Sequence, residues 1–197
     1  MNVLPRIFLG LVLLADFSAQ VNGGTLCHLS GGRSPDGKQE VVLFEADSKE
    51  LSYVLLSRGG RSPKLSIPSS YQPGKGESPK WASQQACEAR VFWNRESKLF
   101  AIEEATHHGS GMVRLARVEP GAPSKELSLP APRTFQPSGI DWTKSRLFCP
   151  GGFIASDTLE LEARGEKADG VTQVVLARVR IKSNGQVVVE SVRQERL

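Results

Sequence analysis

Apolar and polar positions follow two different regimes along the chain. Residues 7–15 form one unbroken apolar run of nine, introduced by Arg6 and stopped by Asp16. Beyond residue 38, short apolar or alternating runs recur between clusters of Gly, Pro, Asn, Asp and Ser. Segments 39–45, 51–57, 88–93, 98–104, 112–119, 158–163, 171–181 and 186–193 each fit a strand, because side chains alternate between the two faces of an extended chain. Residues 64–67 fit an edge strand beside prolines. Residues 140–142 read as the end of one strand, turning through 143–145 into another at 146–149. Asn184-Gly185, between the last two runs, is the strongest short hairpin signal in the sequence. Helical signals are confined to 78–90, where Pro79 and a weak apolar face limit the prediction to a turn or two.

In 112–119 the alternation puts Met112, Arg114, Ala116 and Val118 on one face and Val113, Leu115, Arg117 and Glu119 on the other. Neither face is purely apolar, so part of this strand is expected to reach solvent. Strands at this spacing predict an all-β chain of antiparallel meanders with little helix. Such meanders pack as a two-sheet sandwich.

Composition narrows this picture. A chain of 197 residues with 39% hydrophobic and 23% charged positions has the volume for one cored domain. The 19 Gly and 12 Pro gather in hairpin turns and in two Pro/Ser-rich connectors, at 58–80 and 120–138. Residues 1–23 have the cation, apolar run and small-residue tail of a secretory signal peptide, with cleavage expected after Ala19 or Gly23. The apolar run is less than half of the about 20 residues that a spanning helix needs. Residues 24–197 are therefore expected to form a single β-rich domain, exported to a periplasmic or extracellular space and without a transmembrane anchor after cleavage. The net charge of +4 is spread along the chain, which argues against nucleic acid as a partner. A local basic excess at Arg58, Arg61, Lys64, Lys75 and Lys80 falls in the first connector.

In an oxidising compartment Cys27, Cys87 and Cys149 form one disulfide by any of three pairings and leave one thiol over. Their spacings match no metal-ligand pattern, and no cofactor motif appears. Glu103-Glu104-Ala-Thr-His107-His108 is the one cluster of acids with histidines. On a hairpin tip His107 and His108 can converge, with a glutamate beside them, on a metal or a hydrolytic centre. The bland reading is a polar tip that closes a strand. Of the three tryptophans, Trp93 and Trp142 end strands and are expected to cover the core. Trp81 directly follows the basic connector and is the best aromatic candidate for surface binding.

Trp93-Asn-Arg-Glu-Ser-Lys-Leu-Phe-Ala-Ile102 resembles the Trp-Ser-Pro-Asp-Gly-Lys turn of periplasmic β-propeller repeats. Residues 140–148 are a shorter version, and Ser34-Pro-Asp-Gly-Lys38 is a third. The resemblance spans about 30 residues in three pieces. It implies repeated hairpins on a binding scaffold, with an open propeller-like fragment as the alternative to a two-sheet sandwich, and names no reaction.

The expected function is accordingly a non-catalytic binding or interaction module for a protein or another envelope or extracellular component. Trp81, Arg61, Lys64, His107 and His108 are its candidate contacts, and the two connectors its contact loops. The rival expectation is an exported hydrolase or metalloprotein built on residues 103–108.

Overall fold

The computed structural model describes residues 24–58, 63–72, 79–104, 112–131, 140–148, 151–167 and 172–196. Strands β1 (Gly24–Arg33), β2 (Gln39–Ala46), β3 (Leu51–Ser57) and β4 (Leu65–Pro68) precede a helix, α1 (Pro79–Cys87). Strands β5 (Arg90–Trp93), β6 (Leu99–Glu104), β7 (Met112–Arg117) and β8 (Lys125–Leu127) follow it. Strands β9 (Ile140–Phe148), β10 (Phe153–Ala155), β11 (Thr158–Lys167), β12 (Thr172–Ile181) and β13 (Val187–Arg196) complete the described chain. The protein is all-β, with one sheet in the order β4-β3-β2-β1-β5-β6-β7-β8 and another in the order β10-β11-β12-β13, β9 also pairing with β11.

Within these sheets the chain repeats itself. Arg33 pairs with Glu40, and 60 residues later Trp93 pairs with Phe100. Gln39 pairs with Ser57, and Leu99 with Arg117. Leu55 pairs with Leu65 just as Leu115 pairs with Leu127, and the matching stretches read Leu65-Ser-Ile-Pro and Leu127-Ser-Leu-Pro. Two successive four-stranded meanders, β1–β4 and β5–β8, thus share one pattern. A third meander, β10–β13, has the same order of strands and repeats Leu115-Ala-Arg-Val118 as Leu176-Ala-Arg-Val179. The cysteine spacings that fit no metal site are the period of this repeat: Cys27 and Cys87 lie 60 residues apart.

The first two meanders meet through one parallel bridge, Ser30 to Arg90, and fold face to face about it. Their outer strands β4 and β8 approach each other, and Arg114 Nη2 donates to the carbonyl of Pro68 at 3.1 Å. The eight strands therefore form a nearly closed, barrel-like layer. Its interior is a first core in which Val41, Leu43, Tyr53, Leu55 and Ile67 face Phe100, Ile102, Ala116 and Val118. On the other side of the second meander, Leu99, Ala101, Val113 and Leu115 pack against Leu159, Leu161, Ala177 and Val179 of the third. Strand β6 lies between the two cores and all six of its residues are buried. A strand covered on both faces reads as a continuous apolar run rather than an alternation.

The third meander ends the stack. In β11 Leu159, Leu161 and Ala163 face the core, while Glu160 and Glu162 alternate outward. Arg178 reaches Glu160 at 3.5 Å, and Arg180 reaches both Asp157 at 3.7 Å and Glu190 at 2.8 Å. A layer with one charged face needs no further layer upon it.

Equivalent turns join the first two strands of the first and second meanders. In the first, Ser34 Oγ accepts from Gln39 N at 3.0 Å and Gly37 has φ +67°. In the second, Asn94 Oδ1 accepts from Lys98 N at 2.9 Å and Leu99 N at 3.0 Å, and Ser97 takes the place of the glycine at φ +57°. The two turns touch, since Asp36 N donates to Ser97 Oγ at 3.2 Å. Asn94 Nδ2 reaches forward to Ser156 O, at 2.6 Å, in the corresponding turn of the third meander. Hydrogen bonds from Ser34 and from the Lys38 amide hold the Asp36 carboxyl below its usual range.

Several expectations change. Residues 140–148 form one strand, not a strand, turn and strand; residues 142–145 sit where β9 slips register against β11. The ladder resumes after such a bulge instead of reversing. Within the second connector, 125–127 forms β8, because β7 offers it an edge to pair with. Helix α1 runs to nine residues. Strand β7 uses both faces at its centre, with Leu115 in one core and Ala116 in the other, and only Met112 at its start is 41% exposed. Gly31 to Arg33 end β1. Cys149 and residues 1–23 lie outside the described residues.

Gly31 has φ +70°, and a Cβ on it would stand 2.2 Å from the carbonyl oxygen of Val91; Gly37 has nearly the same φ but nothing within 4 Å. Gly37→Ala should therefore cost the about 1–2 kcal/mol of a left-handed residue. Gly31→Ala should cost clearly more, since β1 must also move away from β5. Urea unfolding of the two variants checks this, and equal losses would show that the close approach of β1 to β5 is not required.

Candidate functional site

The most polar buried region of the described residues lies at the far end of β6. Glu103 and Glu104 are the last two residues of that strand, and both are buried. Their side chains leave opposite faces of β6. Glu103 emerges toward the second core, where the guanidinium of Arg90 on β5 pairs with it, and that guanidinium also lies 5.6 Å from the ring of Phe92. Glu104 enters the first core. A carboxylate there is tolerable only if the fold supplies the hydrogen bonds that water would.

The fold supplies them from the segment just after β4. Ser69 Oγ donates to Glu104 Oε1 at 3.0 Å, Ser70 N donates to the same oxygen at 3.0 Å, and Ser70 Oγ donates to Oε2. Tyr71 N donates to Ser69 Oγ at 3.1 Å. Tyr53, on β3, stands beside Ser69 and donates its hydroxyl to Ala86 O of α1 at 3.4 Å. One carboxylate thus ties together β6, β3, the chain after β4 and the helix. Gln72 extends the arrangement. Its Oε1 accepts from Leu51 N at 3.1 Å and its Nε2 donates to Leu51 O at 2.7 Å, so a side-chain amide continues the ladder where β4 has ended.

Burial pushes both tyrosines above their ordinary value. For Tyr71 burial is the main cause, followed by the nearby charge of Glu104, and its hydroxyl is pushed up to about 12. Tyr53 is raised further, for the same two reasons in the same order.

Two grooves flank this end of the first two meanders at equivalent places. One of about 490 Å³ is lined by Lys49, Glu50, Leu51, Ser52, Pro68 and Gln72. The other, of about 370 Å³, is lined by Met112, Arg114, Glu126, Leu127, Ser128 and Leu129. Both fall in the size range of small ligand clefts. In the second, Arg114 holds Glu126 at 2.9 Å, while its Nε is buried without a partner.

The residues singled out from the sequence fare unequally. Lys64 is exposed, and its backbone amide donates to Leu55 O at 2.8 Å at the entrance to β4. Trp81 is on α1, but its side chain lies outside the described residues, as do Arg61, His107 and His108. Trp93 covers the first core as expected: it packs on Phe100 with ring centroids 4.9 Å apart and donates its Nε1 hydrogen to Gly32 O at 3.0 Å. Of the cluster 103–108 the two glutamates are described, and they do not converge. Cys27 pairs with Cys87, with Cα atoms 6.2 Å apart, which selects one of the three pairings left open by the spacing. Ser69, Ser70, Tyr53, Tyr71 and Gln72 were not identified from the sequence. Nothing in the pattern of residues 69–72 marks them, since their role depends on β4 lying next to the end of β6.

Among the described residues no group of three His, Cys, Asp or Glu side chains is placed to hold a metal ion. No protein-family model matches the chain, and no curated protein matches it in sequence.

Tyr53 and Tyr71 are the only tyrosines of the protein, so tyrosinate absorbance reports on this cluster alone. In the native protein the band should fail to develop at the ordinary value of 10.0, and Tyr71 should be half-ionised near 12. A folded value above the unfolded one stabilises fully below pH 10; that contribution is lost as pH rises through 10 toward 12. Glu104→Gln removes the neighbouring charge but keeps the shape, and should lower the Tyr71 midpoint while leaving it above 10.0. A native titration indistinguishable from that of the unfolded chain would show that water reaches the cluster.

Proposed function

We infer that the protein is an exported, non-catalytic binding module whose contact surface is the pair of connectors 58–80 and 120–138. The observation that carries this reading is that each connector lines one of the two grooves. Pro68 and Gln72 belong to the first connector, and Glu126 to Leu129 belong to the second. Loops held against a rigid β scaffold present side chains in fixed positions at little entropic cost. The Glu104 cluster serves that purpose, because it hangs residues 69–72 from the end of β6. Three stacked meanders of one pattern suit a scaffold role for these loops.

The rival reading, a hydrolase or metalloprotein, gains less. Glu103 is occupied by Arg90 and Glu104 by two serines, so each acid has a partner within the fold. Export draws its support from the Cys27–Cys87 pair, since such bonds persist in oxidising compartments. Among the described residues no helix is long and apolar enough to cross a membrane.

The test is recovery of the protein from the envelope or medium of its own source, with whatever travels with it identified by mass spectrometry. A specific companion should be recovered with the native chain and lost with Lys49→Glu or Met112→Asp, which alter one groove each. Recovery as a bare monomer, or a companion indifferent to both substitutions, would count against this surface. The mature N-terminus should begin at residue 20 or residue 24.

A further inference from the structure

The described residues of helix α1 offer little to hold it in place. Its nine residues fall short of the about 12–15 that an isolated helix needs in water. It carries no acid in its first turn and no base in its last to favour the helix dipole. Among the described side chains of the helix, the buried ones are Ala82, Gln85 and Ala86, two methyl groups and a carboxamide whose Oε1 is buried without a partner. Cys87, its final residue, is bonded to Cys27.

The two ends of that bond are unequally secured. Cys27 lies within β1, opposite Leu43, with Leu26 paired to Phe44 before it and His28 paired to Val42 after it. Cys87 ends a short helix whose described core contacts are alanines. Beneath the helix, Ala86 O accepts the hydroxyl of Tyr53, which stands next to Ser69 and through it Glu104. Both cysteines are only partly buried, so a thiolate can reach the sulfurs.

We propose that the Cys27–Cys87 bond is a redox latch on α1. Its reduction releases the helix from the first core and opens the Tyr53–Ser69–Glu104 cluster to water, while both sheets stay folded. The electron donor is a dithiol. One thiolate of the donor attacks a sulfur of the pair, forms a mixed disulfide and expels the other cysteine as a thiolate, which takes up a proton. The donor's second thiolate then displaces the remaining cysteine, which is protonated in turn. The protein gains two thiols and the donor leaves as its disulfide, a balanced two-electron exchange. The sheets persist because neither the β1–β2 ladder nor the packing of β6 passes through sulfur.

The full chain is treated with dithiothreitol until three thiols are titratable, and amide exchange is followed by mass spectrometry. Amides of residues 80–87 should then exchange roughly a hundredfold faster, and both tyrosines should titrate closer to 10.0. Amides of β6 and β12 should keep their protection. Unchanged exchange at 80–87 after complete reduction would overturn the proposal. So would loss of protection in β6 and β12 together with α1, since the bond would then be a staple for the whole fold. The double variant Cys27→Ser, Cys87→Ser should show the same local pattern without reductant; its failure to accumulate as a folded protein would equally refute a local latch.

Discussion

Strand β6 has no solvent face, because one meander packs on each side of it, and the rest of the fold follows from that constraint. Its even-numbered residues Phe100 and Ile102 complete one core, and its odd-numbered residues Leu99 and Ala101 complete the other. Side chains here must satisfy close packing on both sides at once. The same constraint makes the end of the strand unusual. Where the apolar run gives way to Glu103 and Glu104, each carboxylate meets a different interior and each has had to be matched by donors from elsewhere in the chain. Burying a charge in this way adds little net stability compared with an apolar alternative, but it makes the position of residues 69–72 highly specific.

The repeat explains how a chain of this size reaches three layers. Each meander presents an apolar face that it cannot bury alone, and stacking satisfies the faces in turn. The turns Ser34–Lys38 and Asn94–Lys98 lie next to each other because they are the same turn in successive units, one with Gly37 and the other with Ser97 in the left-handed conformation. The Cys27–Cys87 bond joins equivalent points of those units, 60 residues apart in the chain. The ion pairs on the outer face of the third meander, among Glu160, Arg178, Arg180 and Glu190, give the stack a wet end.

Much of the strand framework was legible from local pattern. The runs at 39–45, 51–57, 98–104 and 171–181 coincide with β2, β3, β6 and β12 to within a residue or two. Alternation and turn chemistry are local signals, and these strands carry both. Strands β8 and β10, of three residues each, were not legible, because so short a segment is extended only when a neighbour offers it a ladder. Residues 140–148 misled for a related reason: Thr143-Lys-Ser145 has the composition of a turn, yet pairing with β11 on either side keeps the strand going through a bulge. The candidate site was legible in one residue only. Glu104 stood out beside histidines, whereas its partners Ser69, Ser70 and Tyr53 come from 34 to 51 residues away and carry no local mark.

By itself the sequence determined the class of fold, the places where hairpins turn, the compartment to be expected and the limits on chemistry. All of these are set by neighbours within a few residues, through alternation, glycine at positive φ and the length of apolar runs. Tertiary structure decided which cysteines pair, that two meanders close into a barrel-like layer, and that Glu104 is a clasp for the chain after β4. Those outcomes depend on contacts between segments tens of residues apart. Such contacts become possible only once the meanders have stacked and the core has excluded water from their polar ends.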